Sequence, residues 1–362
     1  MSPPAVPPAS AGDALTPLDP AWIERFRRDL EAALGKPFEG TLALAVSGGP
    51  DSMAMLALAQ AAFPKSVVAA TVDHGLRPAS ADEARMVADW CSTAGIPHAT
   101  LKPPRRIFQA NVQADARHLR YDLLGQWAIE TGAHALLTAH HCDDQAETFL
   151  MRARRGSGPG GLGGIRTRWR WERHRWHNGY PKGGAAAAAD VDGVTVLRPL
   201  LNWRRADLRA IVELNAIPFV DDPSNADERF DRVRMRQLLA HNPWLDPVAL
   251  ARSARICGES DAALAAMMDW VGRERTLASD VAERRIDMSG LPRELRRRLA
   301  RDAIGYVRLI EGLTEGSWSD SANIESLLDA LESGSGATHA GVQATAKGEI
   351  WHFRPAPPRR SH

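Results

Sequence analysis

Ser47-Gly48-Gly49-Pro50-Asp51-Ser52 brings two glycines, two hydroxyls and a carboxylate into one short stretch. Glycine lets a backbone approach an anion closely and take positive φ, and the serine hydroxyls add hydrogen-bond donors. The preceding run Thr41–Val46 is apolar and free of Gly and Pro, which suits a strand buried on both faces. Met53, Met55, Leu56 and Leu58, set among alanines, read as a helix directly after the turn. A strand, a glycine turn and a helix N-terminus together form an anion site, because backbone N–H groups and the helix dipole meet there. The Gly-Lys-Ser/Thr ending of a Walker loop is absent. The plain alternative is a Gly-Ser turn between buried elements.

A second polar cluster is His140-His141-Cys142-Asp143-Asp144-Gln145-Ala146-Glu147-Thr148. On a helix Asp144 and Glu147, three apart, share a face. Two carboxylates beside a phosphate site could hold Mg²⁺ or a substrate ammonium. Asp143 or Asp144 could also simply cap the helix, with Glu147 nearby. Two histidines with an aspartate could suggest zinc, but adjacent histidines point apart and no further ligand pattern follows.

These residues need a frame, and the chain supplies one from Thr41 to about Ala153. Strands are expected at Thr41–Val46, Val67–Val72, His98–Leu101 and His134–Ala139. Helices are expected between them near Ala81–Ala94, over Asn111–Thr131 and at Asp143–Ala153. This βα repetition predicts a doubly wound, mostly parallel sheet. Ligands in such sheets sit outside the C-terminal strand ends, so Ser47–Ser52, Asp73, His74 and His140–Glu147 could share one cleft.

Beyond this frame, Gly156–Gly164 reads as a mobile loop, and residues 166–191 as a poorly ordered insertion dense in Arg and Trp. Val194–Arg198 is expected as a strand and Trp203–Asn215 as a helix. Past Pro243 the rhythm becomes helical, at Pro247–Arg273, Pro292–Leu309 and Asn323–Glu332, with a hairpin at Thr338–Phe353. The expected organisation is a disordered leader (1–20), a catalytic domain (21–240), a smaller helical C-terminal domain (245–335) and a hairpin with a tail (336–362). The formal net charge of +1 says nothing of partners, so the local distribution of charge must. Arg166, Arg168, Arg170, Arg173, Arg175 and Lys182 interleave with Trp169, Trp171, Trp176 and Tyr180. Cations attract phosphates and rings stack on unpaired bases. A second run, Arg293, Arg296, Arg297, Arg298 and Arg301, could contact RNA or form a solvated helix face. Cys91, Cys142 and Cys257 are far apart with no CxxC, which suggests neither a disulfide framework nor a metal cluster and fits a reducing compartment. No basic n-region or long apolar run marks a signal peptide or membrane span, and a cytoplasmic location is expected.

The SGGPDS stretch resembles the pyrophosphate-binding loop of N-type ATP pyrophosphatases, the PP-loop enzymes. With VDHGLRPAS (Val72–Ser80), NVQADARHLRYDLL (Asn111–Leu124), AHHCDDQAETFLMRARRGSGPGGLGGI (Ala139–Ile165), LRPLL (Leu197–Leu201) and DDPSNADERFDRVRMRQLL (Asp221–Leu239), the chain resembles the tRNA(Ile)-lysidine synthetases over roughly Leu42–Leu239. Cys142 stands where that family commonly has a small aliphatic residue, and the Arg/Trp segment is unusual. The resemblance implies an adenine nucleotide alpha hydrolase-like α/β fold. It further implies ATP-dependent adenylation of the wobble cytidine of a CAU-anticodon isoleucine tRNA, followed by attack of L-lysine to give lysidine, AMP and pyrophosphate. It assigns ATP to Ser47, Gly48, Gly49, Pro50, Asp51, Ser52, Asp73 and His74, with Mg²⁺ at Asp51. Catalysis falls to Asp51, Asp144 and Glu147, and lysine binding to Asp144 and Glu147. Candidate tRNA contacts are Arg117, Arg120, Arg152, Arg154, Arg155, Arg232 and Arg234, and a homodimer is one assembly to consider. The alternatives are a PP-loop enzyme that 2-thiolates cytidine, against which the isolated cysteines argue, and a non-catalytic nucleotide-dependent RNA-binding protein.

Overall fold

The computed structural model describes residues 17–73, 75, 80–103, 112–173, 176–177, 180–181, 192–221, 231–313, 318 and 322–357, without side chains at 112–116, 176–177 and 180–181. Among the described residues the chain divides into two units, the second taking Gly158–Gly161 and the residues after Ile256, a boundary inside a long helix. In chain order the elements are α1 (Pro20–Leu34), β1 (Leu42–Ala45), α2 (Pro50–Ala62), β2 (Val67–Val72), α3 (Ser80–Thr93), β3 (His98–Leu101), α4 (Val112–Glu130), β4 (Ala135–Leu137), α5 (Cys142–Arg154), α6 (Pro159–Leu162), β5 (Arg168–Glu172), β6 (Trp176–His177), β7 (Tyr180–Pro181), β8 (Gly193–Leu197), α7 (Arg205–Leu214), α8 (Asp231–His241) and α9 (Pro247–Arg275). The expected strands and helices of the frame are all present, with ends shifted by a residue or two.

The first unit is built on a sheet of order β3-β2-β1-β4-β8-β5. Its first five strands run parallel and β5 runs antiparallel at the edge. From β1 the chain winds outward through β2 and β3, then returns to add β4 and β8 on the other side. The order therefore reverses between β1 and β4, and that reversal opens a crevice at the strand ends. The alternation in β1 explains its two coverings. Leu42 and Leu44 join the core formed with Phe26, Leu30, Met53 and Leu208. Ala43 lies on the opposite face, where its small side chain leaves room for Tyr121, Leu124 and Trp127 of α4.

The Arg/Trp segment expected outside the core begins inside it. In Arg168-Trp169-Arg170-Trp171-Glu172 the tryptophans alternate with exposed charged residues, and Trp171 is buried. That is the period of a strand with one covered face, and β5 pairs with β8 from Arg168↔Leu197 to Glu172↔Gly193. Trp171 donates its indole N–H to Asp122 at 3.2 Å. It lies so close to α4 that a Cβ on Gly125 would come within 2.3 Å of its ring. Within the rest of the segment, β6 and β7 pair antiparallel, and residues 174–175, 178–179 and 182–191 lie outside the described residues.

The glycine-rich stretch is likewise not irregular throughout. It holds the short helix α6, and Gln145 of α5 grips its end. The Gln145 amide donates to the carbonyls of Gly163 and Ile165 and accepts the Ile165 N–H at 2.6 Å. Gly164, at φ +67°, is pressed against that amide and leaves no space for a side chain.

The second unit contains β9 (Thr276–Leu277), β10 (Arg284–Asp287), α10 (Arg293–Ile310), α11 (Glu325–Glu332), β11 (Gly336–His339), β12 (Val342–Lys347) and β13 (Ile350–Pro355). The expected hairpin is β12–β13. It belongs to an antiparallel sheet of order β11-β12-β13-β10-β9, so this unit is helical and sheet-bearing together. Leu299, Ala303 and Val307, four apart on α10, are buried with Leu328, Trp351 and Phe353. The arginine run on α10 is occupied by carboxylates. Arg293 pairs with Glu325, Asp329 and Glu332, Arg296 with Glu349, Arg297 with Glu294 and Glu325, and Arg298 with Asp261 and Glu294. Arg301, the last of the run, donates instead to the Ala322 carbonyl.

Candidate active site

The turn after β1 is locked from within. Ser52 Oγ accepts the Ser47 N–H at 3.1 Å and donates to the Gly49 carbonyl at 3.0 Å. Gly48 sits at φ +85°, a conformation that favours glycine, while the Gly49 position would meet nothing nearer than 3.7 Å. The fold itself does not demand glycine at Gly49, whereas a phosphate brought against the backbone would. Pro50 opens α2, and Gly49 caps it with no side-chain hydrogen bond, so the first-turn N–H groups are available to an anion.

Asp51, in the first turn of α2, places its Oδ2 3.5 Å from Nε2 of His141, which precedes α5 after the neighbouring strand β4. The His141 ring is buried and caps α5. Its Nδ1 accepts the Asp144 N–H at 3.3 Å, while Asp144 Oδ2 accepts the His141 N–H at 3.1 Å, a capping box closed by histidine. Arg205 Nε donates to His141 Nε2 at 3.3 Å, and the Asp51 carboxylate stands 3.5 Å from the same atom. Burial opposes charge on His141, but the Asp144 and Asp51 carboxylates outweigh it and raise its pKa. Burial would also raise Asp144, yet the charges of His141 and Arg232 and the His141 N–H hold it down to about 2. Burial pushes His140 down to about 3, so its imidazole is neutral, with Nδ1 3.0 Å from Thr138 Oγ1.

Glu147 is buried on the same helix and surrounded by guanidinium groups. Its Oε1 accepts from Arg205 Nη2 at 3.3 Å and Arg236 Nε at 3.0 Å, and Arg232 Nε stands 3.6 Å from Oε2. Asp143 turns to α7, where it accepts the Arg205 N–H and pairs with the Arg204 guanidinium at 3.0 Å. Two carboxylate oxygens in this site, Asp51 Oδ1 and Glu147 Oε2, are buried without a hydrogen-bond partner. Unmet acceptors of this kind are costly and point to a ligand.

The crevice thus gathers Ser47–Ser52, His140, His141, Asp144, Glu147 and Arg232, and the fields of Arg117 and Arg198 reach His140 within it. Other candidates are engaged elsewhere. Asp73, after β2, accepts from Gly75 N at 2.9 Å and Ser80 Oγ at 2.7 Å through Oδ1 and has Lys102 Nζ 3.9 Å from Oδ2, and His74 lies outside the described residues. Arg152 binds the Gly164 carbonyl. Arg154 and Arg155 each meet Asp231 at 2.9 Å, and Arg234 stands 3.7 Å from it, with all three arginines about half exposed. Arg117 and Arg120 lie over the Tyr121 ring, and the Tyr121 hydroxyl accepts from Arg198 at 3.4 Å.

The sequence reading missed Arg204, Arg205, Arg236 and Arg198. The signal for the Arg204-Arg205 pair was their place just after β8, a strand whose end opens on the same crevice. No group of three or more His, Cys, Asp and Glu with a metal-binding arrangement occurs among the described residues. A hard cation at Asp51 would accordingly draw most of its oxygen ligands from a bound triphosphate.

Residues 23–242 match the PP-loop domain family. Over 342 residues the chain is 38% identical to a tRNA(Ile)-lysidine synthase of Zymomonas mobilis subsp. mobilis, covering 93% of this chain and 95% of that one. It is 40% identical to a like-named protein of Novosphingobium aromaticivorans (93% and 94% covered) and 37% identical to one of Methylobacterium sp. (96% and 98%). Among solved structures, a U34-tRNA thiolase of Methanococcus maripaludis aligns with a TM-score of 0.50 at 16% identity, over 66% of this chain and 80% of that one. At that identity the likeness concerns the fold alone.

Proposed function

This chain belongs to the tRNA(Ile)-lysidine synthase family, and on that premise we propose that the crevice between β1 and β4 performs both halves of lysidine formation. The enzyme is an ATP-using PP-loop ligase that acts on tRNA(Ile). The O2 of the wobble cytidine attacks the α-phosphorus of ATP and pyrophosphate leaves. The ε-amine of lysine then attacks carbon 2 and expels AMP. The observation that carries this reading is the pair of buried carboxylate oxygens that accept no hydrogen bond, Asp51 Oδ1 and Glu147 Oε2.

Around the turn Ser47–Ser52, the backbone N–H groups and the start of α2 stabilise charge that builds on the departing pyrophosphate. Mg²⁺ suits Asp51, since a carboxylate oxygen without a partner is a hard-cation ligand; when bound, the ion neutralises phosphate oxygens. Asp144 and Glu147 receive the lysine ammonium. Free lysine amine is almost wholly protonated at neutral pH, so a carboxylate-lined site both binds it and offers a route for its proton. Arg154, Arg155 and Arg234, each about half exposed around Asp231, offer positive charge to the tRNA backbone. No helix among the described residues is long and apolar enough to cross a membrane, and a tRNA substrate accords with work in the cytoplasm. A homodimer is the assembly we would test first, by sedimentation of the full chain.

Thiolation chemistry is disfavoured by the cysteines, because burial pushes the Cys91 and Cys142 thiols up to about 12 and about 11, where the reactive thiolate is scarce. The deciding experiment incubates the protein with CAU-anticodon tRNA(Ile) transcripts, ATP, Mg²⁺ and labelled lysine. Lysine should enter the tRNA with one AMP and one pyrophosphate per turnover. Nucleotide-dependent tRNA binding without lysine incorporation would leave a binding protein instead.

A further inference from the structure

We infer that Arg236 and Arg205 are positioning residues for the lysine step: they hold Glu147 through its Oε1 so that Oε2 stays open as the acceptor for the lysine ammonium. The inference rests on the reading of Glu147 as a lysine ligand and deepens it. Arg236 Nε donates to Oε1 at 3.0 Å and Arg205 Nη2 donates to the same oxygen at 3.3 Å. Oε2 of the same carboxylate is buried and accepts no hydrogen bond.

A carboxylate with both oxygens free could turn about its last torsion, a soft and broad one, and would present either oxygen in many directions. Two guanidinium donors arriving from different elements, α8 and α7, remove that freedom. They also compensate burial of the negative charge, which would otherwise be costly. Arg232 lies four residues before Arg236 on the same face of α8 and reaches Oε2 only at 3.6 Å, beyond hydrogen-bond range. Its attraction adds to the pair without filling the acceptor. An ammonium is a compact point charge and suits a single open oxygen, whereas a guanidinium prefers a two-oxygen fork. The half-occupied carboxylate therefore favours the amine over a third arginine.

The test uses the full-length enzyme and separates the half-reactions: tRNA-dependent pyrophosphate release without lysine, and lysine transfer as lysine is varied. Arg236→Gln should raise the KM for lysine about tenfold or more, the scale expected for loss of a hydrogen bond to a charged group. Pyrophosphate release should change far less, and Arg236→Lys should restore part of the loss. The decisive arm is a double-mutant cycle. If Arg236 acts through Glu147, adding Arg236→Gln to Glu147→Ala should cost nothing further in the lysine step. An undiminished additional loss in the double variant would overturn the inference, as would an equal fall in both half-reactions for Arg236→Gln. Glu147→Gln judges the underlying reading separately. If it leaves the lysine KM unchanged, Glu147 is not a lysine ligand at all. If it raises that KM while Arg236→Gln does not, only the positioning role falls.

Discussion

Asp51 Oδ2 lies 3.5 Å from His141 Nε2. The two residues follow different strands, 90 positions apart in the chain, and meet because β1 and β4 are neighbours in the sheet. This contact joins the turn Ser47–Ser52 to the helix that carries Asp144 and Glu147.

Asp51→Ala should slow adenylation about 100-fold or more, the scale of losing a principal electrostatic stabiliser. Pyrophosphate release from ATP, measured with tRNA and a Mg²⁺ titration, checks it. A near-normal rate would remove Asp51 from the site. Release of ADP and orthophosphate by the parent enzyme would discard the pyrophosphatase chemistry altogether.

The pKa of Asp144 in the folded chain is about 2, below its ordinary 3.8. A depressed carboxylate contributes stability that is present above the unfolded pKa, and this is lost as pH falls through the folded one. Stability should therefore decline between about pH 4 and pH 2, and Asp144→Asn should flatten that limb while keeping an acceptor for the His141 N–H. Urea midpoints at pH 7 and pH 3 measure it; an unchanged difference between the two would count against the folded-state ion pairing.

Gly125→Ala should destabilise the first unit by about 1–3 kcal/mol, the usual cost of overpacking, although alanine is the better helix former. The reason is the Trp171 ring, which an added Cβ would meet at 2.3 Å. Paired with Trp171→Leu, the same substitution should cost less. Thermal unfolding of the four proteins decides, and equal costs in both backgrounds would show that the ring is not the obstacle.

Replacing Arg154 and Arg155 with Gln should weaken tRNA binding and lower its salt dependence by about one counterion per residue. ATP affinity should hold. Because Arg293 and Arg297 are paired with carboxylates, their replacement should weaken the second unit without changing the salt slope. The reverse pattern, read from filter binding across a salt series, would move the RNA contact to α10.

The sequence by itself determined the features whose causes are local. The apolar run before Ser47, the glycine turn and the helix after it are set by backbone preference and period within a few residues, and the βα rhythm followed from the same signals. The motifs from SGGPDS to FDRVRMR were enough to indicate the family. Even β5 was legible in principle, since Arg168–Glu172 alternates with period two; the density of arginine obscured a pattern that the tryptophans carry. Only the tertiary structure decided what each arginine does. Arg154, Arg236 and Arg293 are the same residue type on helices, yet one meets Asp231, one holds Glu147 from 89 residues away, and one is tied to α11. Ion pairing is short-ranged in space and indifferent to sequence distance, so the packing of α5 against α8 chose the partners of Arg154 and Arg236. The same packing buried Glu147 with one oxygen satisfied and the other open.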